Sequence, residues 1–286
     1  MNKCVFTVCT ADYFQFYIPL FVYSALKTWK DVAVLVCVRG ELNDITKAAL
    51  AFIDEKDLNR VNIVESYKTG YPNLVGTTGA LRFTTDEIPY DEVLVTDVDM
   101  FFTLMRHDIF DYCRYNKDND MIYVTHGPYH KPHRPEICPE WKGDYERAAA
   151  GLVCLYKNWW DKTDIIRGRY DLCLRFGTKI KDFREVDEVI LGRIIKESGF
   201  SIPKVPLNYH MRPIHYGDFK STMKHRYTNR NKMRSLLDNR CVEEYLRAKS
   251  DKTLTKIRGI LSQNAQIAEI LNNVDEYCDK RIRGEM

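Results

Sequence analysis

The chain lacks most of the features that mark specialised classes of protein. No apolar run approaches the roughly 18 residues of a membrane-spanning helix. The N-terminal MNKCVFTVCT lacks the basic-then-apolar order of a secretory signal and reads as a strand. The nine cysteines are scattered without a C-x-x-C pair, and several sit inside apolar runs, Cys37 in VAVLVCV and Cys154 in GLVCLY. That pattern excludes a disulfide framework or a zinc site and points to reduced core thiols. The net charge is only +3, far from the basicity of a dedicated nucleic-acid binder. There is no internal repeat and no low-complexity tract. The expectation is a cytoplasmic protein, with peripheral contact to a membrane left open.

What is present is an alternation of strands and helices. An apolar content of 45% over 286 residues supports one large domain, or one domain with an extension. KCVFTVCT (3–10), VAVLVCV (32–38), residues 61–64, DEVLVTDVDMFF (91–102), DMIYVT (120–125), GLVCLY (151–156) and residues 200–205 read as strands. Helical spacing covers 12–30, 42–58, 76–88, 157–164 and 186–198. Strands separated by helices of this length imply an α/β fold, a mixed and mostly parallel sheet flanked by helices. Residues 126–147 read as a long loop with Tyr129, His130, His133, Trp141 and Tyr145 placed to stack on a ligand. Residues 223–286 contain no proline and show helical spacing in two or three stretches. The expected division is therefore a catalytic domain over 1–222 and a basic helical extension over 223–286.

Two motifs can carry chemistry. Asp97-Val98-Asp99 follows the apolar Val93-Leu94-Val95, at the strand end where open α/β sheets bind ligands. Two carboxylates flanking one residue can be aimed by a turn at one hard cation, and Mg²⁺ or Mn²⁺ suits such oxygen ligands. The second is Ile214-His215-Tyr216-Gly217-Asp218-Phe219-Lys220. There a neutral imidazole can complete a metal site, glycine permits close backbone approach, and lysine supplies a point charge for phosphate.

The order of TADYFQFY (10–17), GALRF (79–83), VLVTDVD (93–99), AAAGLVCLYKNWW (148–160), VDEVILG (186–192) and PLNY…HYGDFK (206–220) resembles glycosyltransferase family 8, which includes glycogenin and bacterial lipopolysaccharide galactosyltransferases. The resemblance covers about residues 3–222 and implies a GT-A (Rossmann-like) fold. It also implies an Mn²⁺ or Mg²⁺ cofactor, a nucleotide-sugar donor (a UDP-sugar favoured) and transfer with retention of configuration. By position it implies that Thr10, Ala11 and Asp12 line the base and ribose, and that Arg82 lies near the donor's sugar or phosphates. Asp97, Asp99 and His215 would bind metal, with Asp97 also near the sugar. Lys220 would meet the diphosphate, and Gly217 and Ala150 the donor. Asp187 and Glu188 stand where the family places an Asp-Gln pair against the donor sugar, and are the expected catalytic residues. Departures are visible: the family's H-x-x-G-x-x-K-P-W is shorter here by one residue at both Gly217 and Lys220, and no Pro-Trp follows. Ala149 stands in place of asparagine and Glu188 in place of glutamine.

The acceptor is open among a glycan, a protein, a small molecule and a modified nucleic acid. The basic stretch KHRYTNRNKMR (224–234) reads as a solvated helix face, and its functional readings are docking on an anionic membrane or on nucleic acid. It sustains the alternatives of a nucleic-acid-binding protein on a transferase-like fold, or a transferase that glycosylates modified DNA bases. A haloacid-dehalogenase-like phosphatase also uses Asp-x-Asp, but on the first strand and with Thr or Val two residues on. Here three strands precede the motif and Phe101 occupies that place.

Overall fold

The computed structural model describes residues 2–103, 108–125, 129–131, 145–176, 186–203, 213–219 and 239–285. The first half is β1 (Lys3–Thr10), a 3-10 helix (Tyr13–Tyr17), α1 (Ile18–Thr28), β2 (Val32–Arg39), α2 (Asp44–Leu50), α3 (Glu55–Leu58), β3 (Val61–Val64), α4 (Val75–Thr84), β4 (Glu92–Thr96) and β5 (Met100–Phe101). Then come α5 (Phe110–Asn119), β6 (Tyr123–Val124), β7 (Tyr129–Lys131), β8 (Tyr145–Arg147), β9 (Leu152–Tyr156), α6 (Asn158–Phe176) and α7 (Val186–Glu197). The last elements are β10 (Ile214–His215), a 3-10 turn (Tyr216–Phe219), α8 (Asn239–Lys249), α9 (Lys252–Leu261) and α10 (Ala265–Ile282).

The main sheet has the order β3-β2-β1-β4-β9-β6. β1, β2, β3 and β4 pair in parallel, while β9 runs antiparallel to both β4 and β6. This is the mixed, mainly parallel α/β sheet that the alternation predicts. The direction of β9 has a simple cause. Gly151, just before it, lies against Asp97, just after β4, so the chain enters β9 from the edge at which β4 leaves.

Side chains alternate across the sheet, as the two-residue period of a strand requires. Val5, Cys9, Val34, Val36, Leu94, Leu152 and Cys154 face one apolar cluster, shared with α1, α2, α5 and the C-terminal helices. Cys4, Phe6, Val8, Cys37, Val93, Val95, Val153 and Leu155 face the other, shared with α4, α6 and α7. Both faces are therefore dry, which is why the strands read as near-continuous apolar runs. Each fully buried large side chain contributes roughly 1.5–3 kcal/mol. The eight described cysteines are free thiols, seven of them buried, which agrees with core cysteines.

Several elements differ in detail from the sequence reading. The stretch 42–58 splits into α2 and α3 because Asn43 caps the first and Asp54 caps the second, each accepting from a backbone N–H. The helix expected from residue 12 begins as a 3-10 turn capped by Asp12, and Pro19, which has no N–H, sits in the first turn of α1, where no intrahelical donor is needed. α6 extends to Phe176, well past the expected 164. Within 126–147, β7 and β8 form an antiparallel ribbon. Residues 132–144, which include His133 and Trp141, lie outside the described residues.

α8, α9 and α10 have apolar residues at helical spacing, such as Leu254, Ile257 and Leu261, then Ile267, Ile270, Leu271 and Val274. These side chains join the cluster that holds Phe101 and Tyr216. Tyr245 meets Phe101 edge-on at 5.3 Å, and Phe219 meets Tyr277 at 5.4 Å. Among the described residues no helix is long and apolar enough to cross a membrane.

Candidate metal centre and its cleft

β4 ends at Thr96, and the chain turns through Asp97, Val98 and Asp99 before β5. Val98 is buried and anchors the turn in the core, so the two flanking carboxylates project beyond the strand end. The Asp97 N–H donates to the Gly151 carbonyl at 3.2 Å, and the Tyr216 N–H donates to the Asp99 carbonyl at 2.8 Å. β5 then pairs antiparallel with β10, which sets His215 opposite Met100. This pairing carries an imidazole to the carboxylates from far along the chain.

One ligand atom from each of Asp97, Asp99 and His215 lies within 4.8 Å of the other two. His215 Nε2 is 3.0 Å from Asp99 Oδ1. Two neighbouring ligands of an octahedral cation, each at about 2.1 Å, stand about 3.0 Å apart. Two carboxylate oxygens and one imidazole nitrogen suit a divalent cation of the Mg²⁺–Mn²⁺ kind, and the residues present fit such an ion. The centre admits no side chain at Gly217: a Cβ built there would lie 2.5 Å from Asp99 Oδ2 and 3.2 Å from His215 Nε2. Gly151 is similarly placed under Asp97, its Cβ position 3.2 Å from Oδ2.

The second nitrogen of His215, Nδ1, is 3.3 Å from Asp218 Oδ2. Burial alone would lower the pKa of His215, but the charge of Asp99 and the bond to Asp218 more than reverse this and hold it well above the usual value.

Beside the centre, Arg82 is almost fully buried and spans two acids. Its NH1 donates to Asp97 Oδ1 at 2.5 Å, its NH2 to Asp187 Oδ2 at 2.9 Å, and its Nε to the Gly79 carbonyl at 2.9 Å. Burial disfavours the guanidinium charge, and Asp97 and Asp187 outweigh that, raising its pKa. Asp187 lies in the first turn of α7, where the helix dipole favours an anion. Its Oδ1 also accepts the Glu188 N–H at 2.9 Å. Burial pushes the Asp187 carboxyl up against the lowering pull of Arg82.

One cleft brings together Thr10, Arg82, Asp97, Asp99, Asp187 and His215 from the sequence-derived set. The other described members sit next to it. Ala11 follows Thr10 and would touch a Cβ on Gly40, and the Asp12 carboxylate is engaged by Thr10 Oγ1 at 2.6 Å and the Phe14 N–H at 3.0 Å. Ala150 is buried before Gly151, and the Glu188 carbonyl accepts from the Ala148 N–H at 3.2 Å. Gly217 lies against Asp99. Lys220 and the basic stretch 224–234 lie outside the described residues.

The cleft also includes Phe14, Val75, Thr78 and Gly79, which the sequence reading did not single out. Phe14, Thr78 and Gly79 fall within or beside the motifs TADYFQFY and GALRF, so position along those motifs was the available signal. Val75 carried none.

No protein-family model and no curated protein matches the chain. Among solved structures it is similar to the galactosyltransferase LgtC in complex with donor and acceptor sugar analogs, at 14% identity and a TM-score of 0.47 over 72% of this chain and 74% of that one. It is also similar to the glycosyltransferase GlyE of Streptococcus pneumoniae TIGR4, at 15% and 0.45 over 73% and 46%. A third is core-mannan synthase A of Aspergillus fumigatus in its Mn/GDP form, at 8% and 0.43 over 70% of each chain.

Proposed function

We propose that the chain is a metal-dependent glycosyltransferase of the GT-A kind. It would move a sugar from a nucleotide-sugar donor, a UDP-sugar, to an acceptor hydroxyl with retention of configuration. The observation that carries the reading is the convergence of Asp97, Asp99 and His215 at the carboxyl edge of the parallel strands, beside the Arg82–Asp187 pair. The resemblance to family 8 supports the donor class and the stereochemistry.

Asp97, Asp99 and His215 would hold Mn²⁺ or Mg²⁺, which when bound supplies charge to neutralise a departing nucleoside diphosphate. Thr10, at the end of β1, stands on the side assigned to the base and ribose. Arg82 is fixed by both acids and the Gly79 carbonyl, so it presents charge without reorganising, which is the condition for electrostatic stabilisation. Asp187 has one oxygen on Arg82 and the other on the Glu188 N–H. A carboxylate held this way suits accepting hydrogen bonds from donor-sugar hydroxyls better than swinging as a free base. In this reading Asp187 and Glu188 stand nearest the anomeric carbon.

A panel of nucleotide sugars tested with Mn²⁺ for hydrolysis and transfer checks the proposal. The expected result is turnover of a UDP-sugar that chelation stops and Asp99→Ala reduces to background. Turnover that survives chelation, or an active Asp99→Ala enzyme, would falsify the assignment of the centre.

A further inference from the structure

We propose that Asp218 is the positioning carboxylate of His215, setting which ring nitrogen faces the metal; the proposal rests on the metal reading of Asp97, Asp99 and His215. His215 presents Nε2 toward Asp99 Oδ1 at 3.0 Å and Nδ1 toward Asp218 Oδ2 at 3.3 Å. A neutral imidazole that gives one nitrogen to a cation carries its proton on the other. An acceptor on that second nitrogen fixes both the tautomer and the ring's orientation.

The local chain geometry delivers this acceptor. His215 immediately precedes the 3-10 turn Tyr216–Phe219, in which residues three apart lie one above the other. Asp218 is the residue three on, so its side chain returns to the face of the imidazole. The turn is anchored on both sides of Asp218. Tyr216 is fully buried and stacks on Tyr17 at 5.7 Å, while Phe219 is buried and its carbonyl accepts from Asn273 Nδ2 at 2.9 Å. Asp218 is itself about a quarter exposed, which keeps its charge solvated without freeing it from the ring. The compact order His-Tyr-Gly-Asp thus serves two purposes: Gly217 clears space for Asp99, and Asp218 reaches the far side of the imidazole.

The test is calorimetric titration of the full chain with Mn²⁺ alone, alongside its metal-free melting temperature. Asp218→Ala is expected to weaken Mn²⁺ binding about 10–100-fold, the range found when an outer carboxylate is removed from a ligating histidine. Its metal-free melting temperature should stay within a few degrees of the parent. Asp218→Asn, whose amide oxygen accepts the same N–H, is expected to recover most of the loss and so separates positioning from misfolding. An Asp218→Ala protein that binds Mn²⁺ as tightly as the parent overturns the proposal, and so does an Asp218→Asn protein as weak as Asp218→Ala. A parent chain that does not bind Mn²⁺, or that binds it unchanged after His215→Ala, overturns the metal reading itself and Asp218's role with it.

Discussion

Gly217→Ala is the smallest change that the proposed metal centre should not survive, although the fold should. Among the described residues the glycines with positive φ are Gly40, Gly199 and Gly284, so Gly217 is not required for its backbone angles. Alanine there is conformationally ordinary and reduces the freedom of the unfolded chain, which by itself stabilises by about 0.4–1 kcal/mol. The obstacle is space. The new Cβ would lie 2.5 Å from Asp99 Oδ2, and such contacts do not fall below 3.0 Å, so the carboxylate must retreat by about 0.5 Å. Metal–ligand distances tolerate only about 0.2 Å. Displacing a direct ligand should weaken binding by at least the ~100-fold upper range seen for outer partners, or about 2.8 kcal/mol. Mn²⁺ at 100 times the parent's Kd stabilises the parent by about 2.7 kcal/mol, whereas the variant at the same concentration gains only about 0.4 kcal/mol. Paired melts with and without Mn²⁺ should therefore show an upward shift of roughly 5 °C in the parent and almost none in the variant. Equal shifts in the two proteins would refute the close-approach argument. A metal-free variant destabilised by several kcal/mol would show that the glycine serves the fold instead.

Arg82→Met should separate donor chemistry from metal binding. It leaves Asp97 and Asp187 without their shared cation, at a cost of roughly 2–4 kcal/mol in stability once the partial exposure of Asp97 is discounted. Turnover should be lost while Mn²⁺ binding is kept or tightened, because a competing cation has been removed. A variant that loses Mn²⁺ affinity and turnover together would contradict this division. A further prediction concerns pH. Because Asp99 and Asp218 outweigh burial and raise the pKa of His215 above 6.5, the folded chain holds that proton more tightly than the unfolded one. The resulting stabilisation of the metal-free protein is complete below about pH 6.5 and is lost as pH rises through the folded value. Mn²⁺ must displace a proton from the ring, so its affinity rises across the same window. Melts and Mn²⁺ titrations from about pH 6 to 9 should show these opposite trends, and both should disappear in His215→Ala.

The parts of this molecule that could be read from sequence are those where one residue type has few alternatives. Valine-rich runs with both faces dry identify β1, β2 and β4, and an Asp-x-Asp that leaves such a run marks the cleft edge. His215 could be tied to that edge only through an ordered set of motifs, because the link in space is the β5–β10 pairing of two residues on each side. Neither two-residue strand has any periodicity to detect. The direction of β9 was hidden for a related reason. GLVCLY is apolar on both faces whichever way it runs, and only the position of Gly151 beside Asp97 decides the sense. Resemblance alone places Arg82 near the donor. Its bridging of Asp97 and Asp187 is a fact about three elements meeting, α4, the β4 edge and α7, and no local pattern encodes it.

The C-terminal helices bear on the same point. Their spacing and lack of proline make them readable as helices, yet spacing does not say what their apolar faces cover. In the fold those faces share a cluster with Phe101 and Tyr216, the residues that flank the two halves of the metal centre. Arg258 donates to the Tyr245 hydroxyl at 2.5 Å and to Asp275 at 2.6 Å, and Lys249 pairs with Asp275 at 2.8 Å, which ties α8, α9 and α10 into one unit. Tyr245 of that unit packs on Phe101, and Asn273 holds the Phe219 carbonyl. The β5 strand that follows Asp99 and the turn that follows His215 are thus both braced from the C-terminal side. Loosening the helices would spread Asp97, Asp99 and His215 without changing any residue of the cleft. The strands supply the two carboxylates, but the spacing of His215 from them depends on helices that a reading of the motifs alone would set aside as an appendage.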